Sequence, residues 1–308
     1  MSLTIEMISR LPVEVTRSTL PDWVGAHVAA PPGLHAAMRL DVERVIAGFT
    51  DQELQRLQDT FAAAGDAYRL HQADPVARAI TRAFMTYLSP QWGVDGQEHL
   101  GRFLTEGPQR RLVVCNHLSY TDTQLTDSLL CKAGLSAAAD RLVAIAGPKV
   151  YTDPWRRMAA IALNTRKTAQ SSAVATEQDS LGPRELAAVA FETIAECVRL
   201  MDAGYLILLY PEGSRSRTGR LRPFLRAASR YLQLPELQIL PMAQVGSESI
   251  FPIDSPIMHP GEARLVFGPP FAAMDHPGKA AALCEAHARV AALLPDGYRP
   301  APGEPAVG

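Results

Sequence analysis

Leu112-Val113-Val114-Cys115-Asn116-His117-Leu118-Ser119-Tyr120-Thr121-Asp122 is the stretch on which the fold of this chain turns. Four consecutive apolar residues, Leu112 to Cys115, suit a strand buried on both faces, as the strands of a parallel sheet are. Asn116 and His117 then emerge at its carboxyl end, the edge where open α/β sheets collect ligands. Ser119 reads as a helix N-cap with Asp122 at the third helical position, from which a carboxylate reaches back to the cap. His117 and Asp122 thus flank one strand-to-helix turn. A histidine so placed serves either as a hydrogen-bonded structural residue or as a base whose charged form a carboxylate stabilises. Asp122 correspondingly is either a cap or a catalytic partner, and the turn alone leaves both readings open.

Downstream the pattern repeats. Strand-like runs occur at 111–115, 141–146, 205–210, 238–243 and 263–267, separated by helical stretches. The clearest of these, 185–202, carries Leu186, Ala190, Ile194, Cys197, Val198 and Met201 in one stripe and stops at Gly204. Alternation of this kind predicts an α/β domain, a mixed and largely parallel sheet flanked by helices, over residues 93–296. Upstream, residues 1–33 are proline-rich and read as an irregular lead-in. Spacings near three and four then predict three helices: one with Leu40, Val42, Val45, Ile46 and Phe49, a second from Asp51 with Leu54, Leu57 and Phe61, and a third after Asp74-Pro75. Residues 1–92 therefore form the lead-in and a small helical amino-terminal domain, with Ser89-Pro90, Gly93 and Gly96 as punctuation. Residues 297–308, rich in Pro and Gly, read as a disordered tail.

Composition narrows the function. The 308 residues are 47% hydrophobic and 20% charged with a formal net charge of −2, an ordinary globular balance that argues against a general nucleic-acid binder. The four cysteines lack metal-ligand spacing and read as reduced core thiols, so no metal is expected. The amino terminus lacks the order of a secretory signal, and no apolar run reaches the roughly 18 to 20 residues a bilayer span needs. A cytoplasmic protein is expected, able to lie on the inner membrane face without crossing it.

A second constellation follows the run at 205–210: Tyr210-Pro211-Glu212-Gly213-Ser214-Arg215-Ser216-Arg217, with arginines continuing at 220, 222, 226 and 230. Six arginines in the sixteen residues 215–230, with no acid among them, are either a solvated face or an anion site. The planar fork of arginine matches phosphate, and Gly213 lets the backbone turn sharply.

The ordered pair, Asn116-His117 with four residues before Asp122 and then Glu212-Gly213-Ser214-Arg215, resembles the glycerolipid acyltransferase superfamily, the 1-acylglycerol-3-phosphate and glycerol-3-phosphate O-acyltransferases. Ala146-Gly147 through Thr152-Asp153-Pro154 looks like the corresponding stretch of the soluble chloroplast-type glycerol-3-phosphate enzymes. Pro241, read as ending a strand, matches the family's last motif. The likeness covers about residues 95–270. It implies transfer of a fatty acyl group from acyl-CoA or acyl-carrier protein to a hydroxyl of a phosphorylated glycerol or lysophospholipid, with no metal, no cofactor and no covalent acyl-enzyme. His117 would be the general base and Asp122 its partner. Glu212, Gly213 and Ser214 would shape the loop that lets Arg215 and Arg217 hold the acceptor phosphate, with Arg166 and Lys167 as further basic contacts. Two departures stand out: the apolar amino-terminal anchor of many lysophosphatidate acyltransferases is missing, and EGSRSR replaces the form usual in the chloroplast type.

A thioester is already activated, so such a reaction needs mainly a base, positioning and donors for the oxyanion. Backbone amides at the start of the helix after His117 are candidates for those donors. A thioesterase using the same dyad on water and a non-catalytic acyl-carrier or lipid-binding protein are the competing readings. A GxSxG nucleophile elbow is absent from the sequence.

Overall fold

Prolines open several of the amino-terminal helices instead of separating them. The computed structural model, which describes residues 4–63, 68–147, 150, 154–169, 181–278 and 280–308, begins with α1 (Ile5–Ile8), α2 (Val13–Gly25), α3 (Pro32–Ala47) and α4 (Asp51–Ala63). Pro12 and Pro31 are the N-cap residues of α2 and α3, and Pro32 is the first residue of α3. There the missing N–H would have had no intrahelical partner, and the fixed φ suits the helix. The irregular lead-in expected over 1–33 is thus corrected to largely helical structure from Ile5 onward, with Ile5, Ile8, Leu20, Trp23 and Val24 buried. Thr50 and Glu53 form a capping box before α4: Glu53 Oε2 accepts from Thr50 N at 2.8 Å and Thr50 Oγ1 accepts from Glu53 N at 3.3 Å. After β1 (Leu70–His71), α5 (Pro75–Leu88) is capped by Asp74, whose carboxylate accepts from the N–H groups of Val76 and Ala77.

The remaining elements alternate. They are β2 (Gln91–Asp95), α6 (Gln97–Thr105), β3 (Arg110–Cys115), α7 (Asp122–Lys132), α8 (Ser136–Arg141), β4 (Leu142–Ala146), α9 (Pro154–Ile161) and β5 (Asn164–Lys167), followed by α10 (Pro183–Asp202), β6 (Leu206–Leu209), α11 (Ser229–Leu232), β7 (Leu237–Val245), α12 (Ser247–Ile250), β8 (Glu262–Phe267), β9 (Phe271–Ala272) and α13 (Ala281–Leu293). Among the described residues one nine-stranded sheet runs β1-β5-β4-β6-β3-β7-β8-β2, with β9 also on β7. The pairs β4–β5, β4–β6, β3–β6, β3–β7 and β2–β8 are parallel, whereas β1–β5, β7–β8 and β7–β9 are antiparallel. The mixed, largely parallel α/β sheet read from the sequence is the fold.

β3 sits inside this sheet with a parallel strand on each side, so Leu112 is level with both Ile207 and Ile239. Its alternate side chains serve two cores. Val113 and Cys115 face the apolar cluster that includes Ile5, Leu57, Phe84 and Leu129, while Leu112 and Val114 face the one under α10 and α13, with Cys197, Leu200, Leu283 and Val290. Residues up to α5 share the first core with the sheet. The boundary expected at 92/93 is therefore not a packing boundary, and it falls inside β2. A buried charge network binds the two parts. Arg82 grips Asp127 of α7 with Nε at 2.7 Å and Nη2 at 2.9 Å, and Arg78 Nη2 reaches the same carboxylate at 2.8 Å. Removing one partner of such a buried pair costs about 3 to 5 kcal/mol.

The chain's last residues are paired, which corrects the disordered tail expected for 297–308. Tyr298 O accepts from Leu221 N at 2.7 Å, Ala306 O from Phe224 N at 2.9 Å, and Phe224 O from Gly308 N at 3.0 Å. Phe224 is fully buried beside this segment, so backbone pairing to an anchored partner outweighs the composition. Cys284 is exposed, unlike the core thiol expected, and all four cysteines are free. Among the described residues no helix is long and apolar enough to cross a membrane.

Candidate active site

The carboxyl ends of β6, β3 and β7 lie side by side, and each contributes to one cluster. Asn116 extends the β3–β7 ladder with its side chain: its Nδ2 donates to Gln244 O at 2.9 Å and its Oδ1 accepts from Gln244 N at 2.8 Å. That fixes the backbone of His117, which is then held twice from the β6 side, His117 N donating to Glu212 Oε1 at 2.7 Å and His117 O accepting from Ser216 N at 2.7 Å. The imidazole stacks on Tyr210 with ring centroids 4.6 Å apart.

His117 Nδ1 lies 2.7 Å from Asp122 Oδ2. Facing a carboxylate, Nδ1 carries the proton and Nε2 is left able to accept one. Asp122 is buried yet saturated: Oδ2 also accepts from Leu118 N at 2.7 Å, and Oδ1 accepts from Ser119 N at 3.0 Å and from Ser247 Oγ at 2.5 Å. Three neutral donors beside the histidine satisfy the buried oxygens of this carboxylate. Thr121 is the N-cap of α7 and Asp122 its first residue, so Ser119 is not the cap. Asp122 nevertheless reaches back over the turn as a capping carboxylate does, and it serves the turn and the imidazole together. The amides of Leu118 and Ser119 are consumed in this role.

Glu212 braces the site from below. Its two oxygens accept from the backbone N–H of His117 and, at 3.2 Å, of Arg222, tying the ends of the arginine loop to β3. Burial pushes its carboxyl up to about 8, with those two backbone donors opposing the shift. Gly213 sits at φ +70°, where a Cβ would lie 2.3 Å from Leu225 Cδ1, and Ser214 Oγ accepts from Arg222 Nη1 at 2.5 Å. The Arg215 guanidinium lies over the Tyr120 ring, 3.5 Å from its centroid, and Arg217 is exposed.

Arg166 and Lys167 are elsewhere. Both are on β5, which is separated from β3 by β4 and β6. Arg166 is fully buried and ion-paired with Glu196 of α10. Arg166 is level with Ile145, on the α10 side of the sheet, so the structure does not bring it to His117. Lys167, level with Ala146, points to the opposite face and is also buried. Pro241 lies within β7 rather than at its end. Of the stretch Ala146 to Pro154, residues 148, 149 and 151–153 lie outside the described residues.

Ser247, Tyr210, Tyr120 and Arg156 were not singled out by sequence. Ser247 carried a faint signal, since it follows a strand's carboxyl end by two residues. Gly246 places it: φ is +90° there, and a Cβ would sit 2.0 Å from Glu262 O. Gly246→Ala is accordingly expected to lower stability by about 2 kcal/mol or more, from the left-handed backbone and the clash together. A denaturant midpoint equal to that of the parent would contradict this.

Beside the cluster a cleft of about 460 Å³, its mouth included, opens between α5, α7 and α9. Thr81, Phe84 and Met85 form one wall, Phe251 and Met258 another, and Tyr120 and Arg156 also line it.

A strand-end histidine bonded to an aspartate and an arginine-bearing loop thus meet at the carboxyl edge of an α/β sheet. Residues 93–245 match the family model described as Acyltransferase, a match that supports the glycerolipid acyltransferase superfamily. It is 29% identical over 95 residues to 1-acyl-sn-glycerol-3-phosphate acyltransferase BAT2, chloroplastic, of Brassica napus, over 30% of this chain and 26% of that one. The same identity over 102 residues relates it to the LPAT1 enzyme of that name from Arabidopsis thaliana, over 32% of this chain and 28% of the relative. The match thus spans little more than a quarter of either relative. The fold is similar to that of the 1-acyl-sn-glycerophosphate acyltransferase PlsC from Thermotoga maritima, with a TM-score of 0.50 and 14% identity, covering 90% of this chain and 96% of the other.

Proposed function

We propose that this chain transfers a fatty acyl group from an acyl-CoA or acyl-carrier-protein thioester to a hydroxyl of a phosphorylated glycerol, glycerol 3-phosphate or its 1-acyl form, as a step of phospholipid synthesis. The observation that carries the proposal is the 2.7 Å contact of His117 Nδ1 with Asp122, which leaves Nε2 as the proton acceptor. In this reading His117 Nε2 takes the proton of the acceptor hydroxyl as its oxygen attacks the thioester carbonyl. The tetrahedral intermediate collapses, the C–S bond breaks, and the thiolate takes the proton back from the imidazolium. Asp122 stabilises the imidazolium between these steps. No metal or cofactor enters the scheme.

The arginine loop supports a phosphorylated acceptor, and the apolar cleft beside Tyr120 suits an acyl chain, with α5 as one of its walls. The amino-terminal helices then help to enclose that chain. Such a protein would work at the inner membrane face without spanning the bilayer.

The deciding measurement is an acceptor panel with radiolabelled acyl-CoA and acyl-carrier protein as donors. Acylated product dependent on glycerol 3-phosphate or its monoacyl form is the expected result. Free fatty acid formed at the same rate with and without acceptor would point to a thioesterase, and no turnover of either donor would point to a binding protein.

A further inference from the structure

Arg156 of α9 and Arg215 of the β6 loop converge on a single ring. Their guanidinium carbons lie 3.9 Å and 3.5 Å from the centroid of Tyr120, so at most twice the larger distance separates them. Tyr120 is three residues beyond His117, and Tyr120 and Arg156 both line the apolar cleft. Two like charges held against one ring repel each other. Arg215 is half-buried and forms no ion pair among the described residues, and burial together with Arg156 lowers its affinity for the proton.

We propose that Arg156 and Arg215, spaced by the Tyr120 ring, clamp the phosphate monoester of the acceptor, with Arg156 the specificity-determining residue. The inference rests on the acyltransferase reading above and adds one residue to it. The separation is one that a single tetrahedral phosphate can bridge, each guanidinium offering a fork of N–H donors. A monoester has three terminal oxygens and carries about −1.5 to −2 charge near neutral pH, whereas a diester has two free oxygens and one charge. Two guanidiniums therefore favour the monoester. Arg166 and Lys167, which residue type alone suggested as the second cation, are buried on β5. α9 supplies it instead, from the wall of the cleft.

The 3′-phosphate of CoA is the same chemistry from another source, so the test separates the two. Acceptor KM and kcat are measured for the parent, Arg156→Ala, Arg156→Lys and Arg215→Ala. The acceptors are monoacylglycerol 3-phosphate and a monoacyl phosphodiester, and the donors are acyl-CoA and acyl-dephospho-CoA. Each alanine variant is expected to raise the monoester KM by about tenfold or more, the loss of one charge-assisted contact. Diester KM should rise by clearly less than monoester KM, donor KM and kcat should change by less than about twofold on the same scale, and Arg156→Lys should fall between parent and alanine. An unchanged monoester KM in Arg156→Ala, an equal rise for the diester, or a rise confined to acyl-CoA would overturn the assignment. Calorimetric titration with inorganic phosphate gives a readout independent of turnover: weaker binding by Arg156→Ala is expected, and equal binding refutes the clamp. If the parent acylates no acceptor at all, the acyltransferase reading fails by itself, and the phosphate titration still decides the clamp.

Discussion

His117→Ala is expected to lower kcat by about 10²- to 10⁴-fold, the usual contribution of a positioned general base. The acceptor KM should stay near its parent value, because phosphate recognition is assigned to arginines on other elements. Folding should survive, since Asp122 keeps the backbone amides of Leu118 and Ser119 and the Ser247 hydroxyl as donors. A thermal melt close to that of the parent, beside single-turnover rates with acyl-CoA, would separate loss of chemistry from loss of structure. Near-normal turnover in the variant would remove His117 from the role of base.

Asp122→Asn has the second largest expected effect, and it acts on rate and stability together. The carboxylate accepts from Leu118 N, Ser119 N, Ser247 Oγ and His117 Nδ1. An asparagine amide must place its NH₂ against one of the two backbone N–H groups whichever way it is turned. Placing it on the Ser247 side is the better choice, because the serine hydroxyl can rotate to accept. Ser119 N then loses its partner, at a cost of about 1 to 3 kcal/mol. The imidazolium formed during transfer also loses its counter-charge, so kcat should fall by about 10²-fold or more. Urea unfolding and kcat measured on the same preparation test both parts. A variant with parental stability would show that the four-donor cage is not rigid.

The parts of the fold that sequence predicted are those whose causes are local. Asp74-Pro75 announces a helix because its capping carboxylate lies within three residues of what it caps. Leu112 to Cys115 announces a strand because four apolar residues in succession have few other uses. Where the cause is distant, the reading fails. β5 consists of Asn164, Thr165, Arg166 and Lys167, all buried, and no apolar pattern marks it. Its arginine is sheltered by Glu196, thirty positions away in the chain. The Pro- and Gly-rich tail is ordered by Phe224 and its neighbours, which composition does not record.

The site divides along the same line. His117, Asp122, Glu212 and Arg215 are marked by residue type at strand ends. Ser247 and Arg156 become visible only when helix phase and strand order are known, since arginines at 156, 157 and 166 are equivalent as letters. Asp122 also shows how one residue can satisfy two readings, because the carboxylate that fastens the turn is the one that holds the imidazole.

The ladder that joins β6, β3 and β7 has a consequence for how the chain acquires its activity in time. His117 is braced by Glu212 from 95 positions away, Asn116 by Gln244 from 128, and Asp122 by Ser247 from 125. Loops of that length close late, after local helices and turns have formed. During refolding the helical signal should therefore rise well before the histidine is held, and the first turnover marks the end of assembly rather than its beginning.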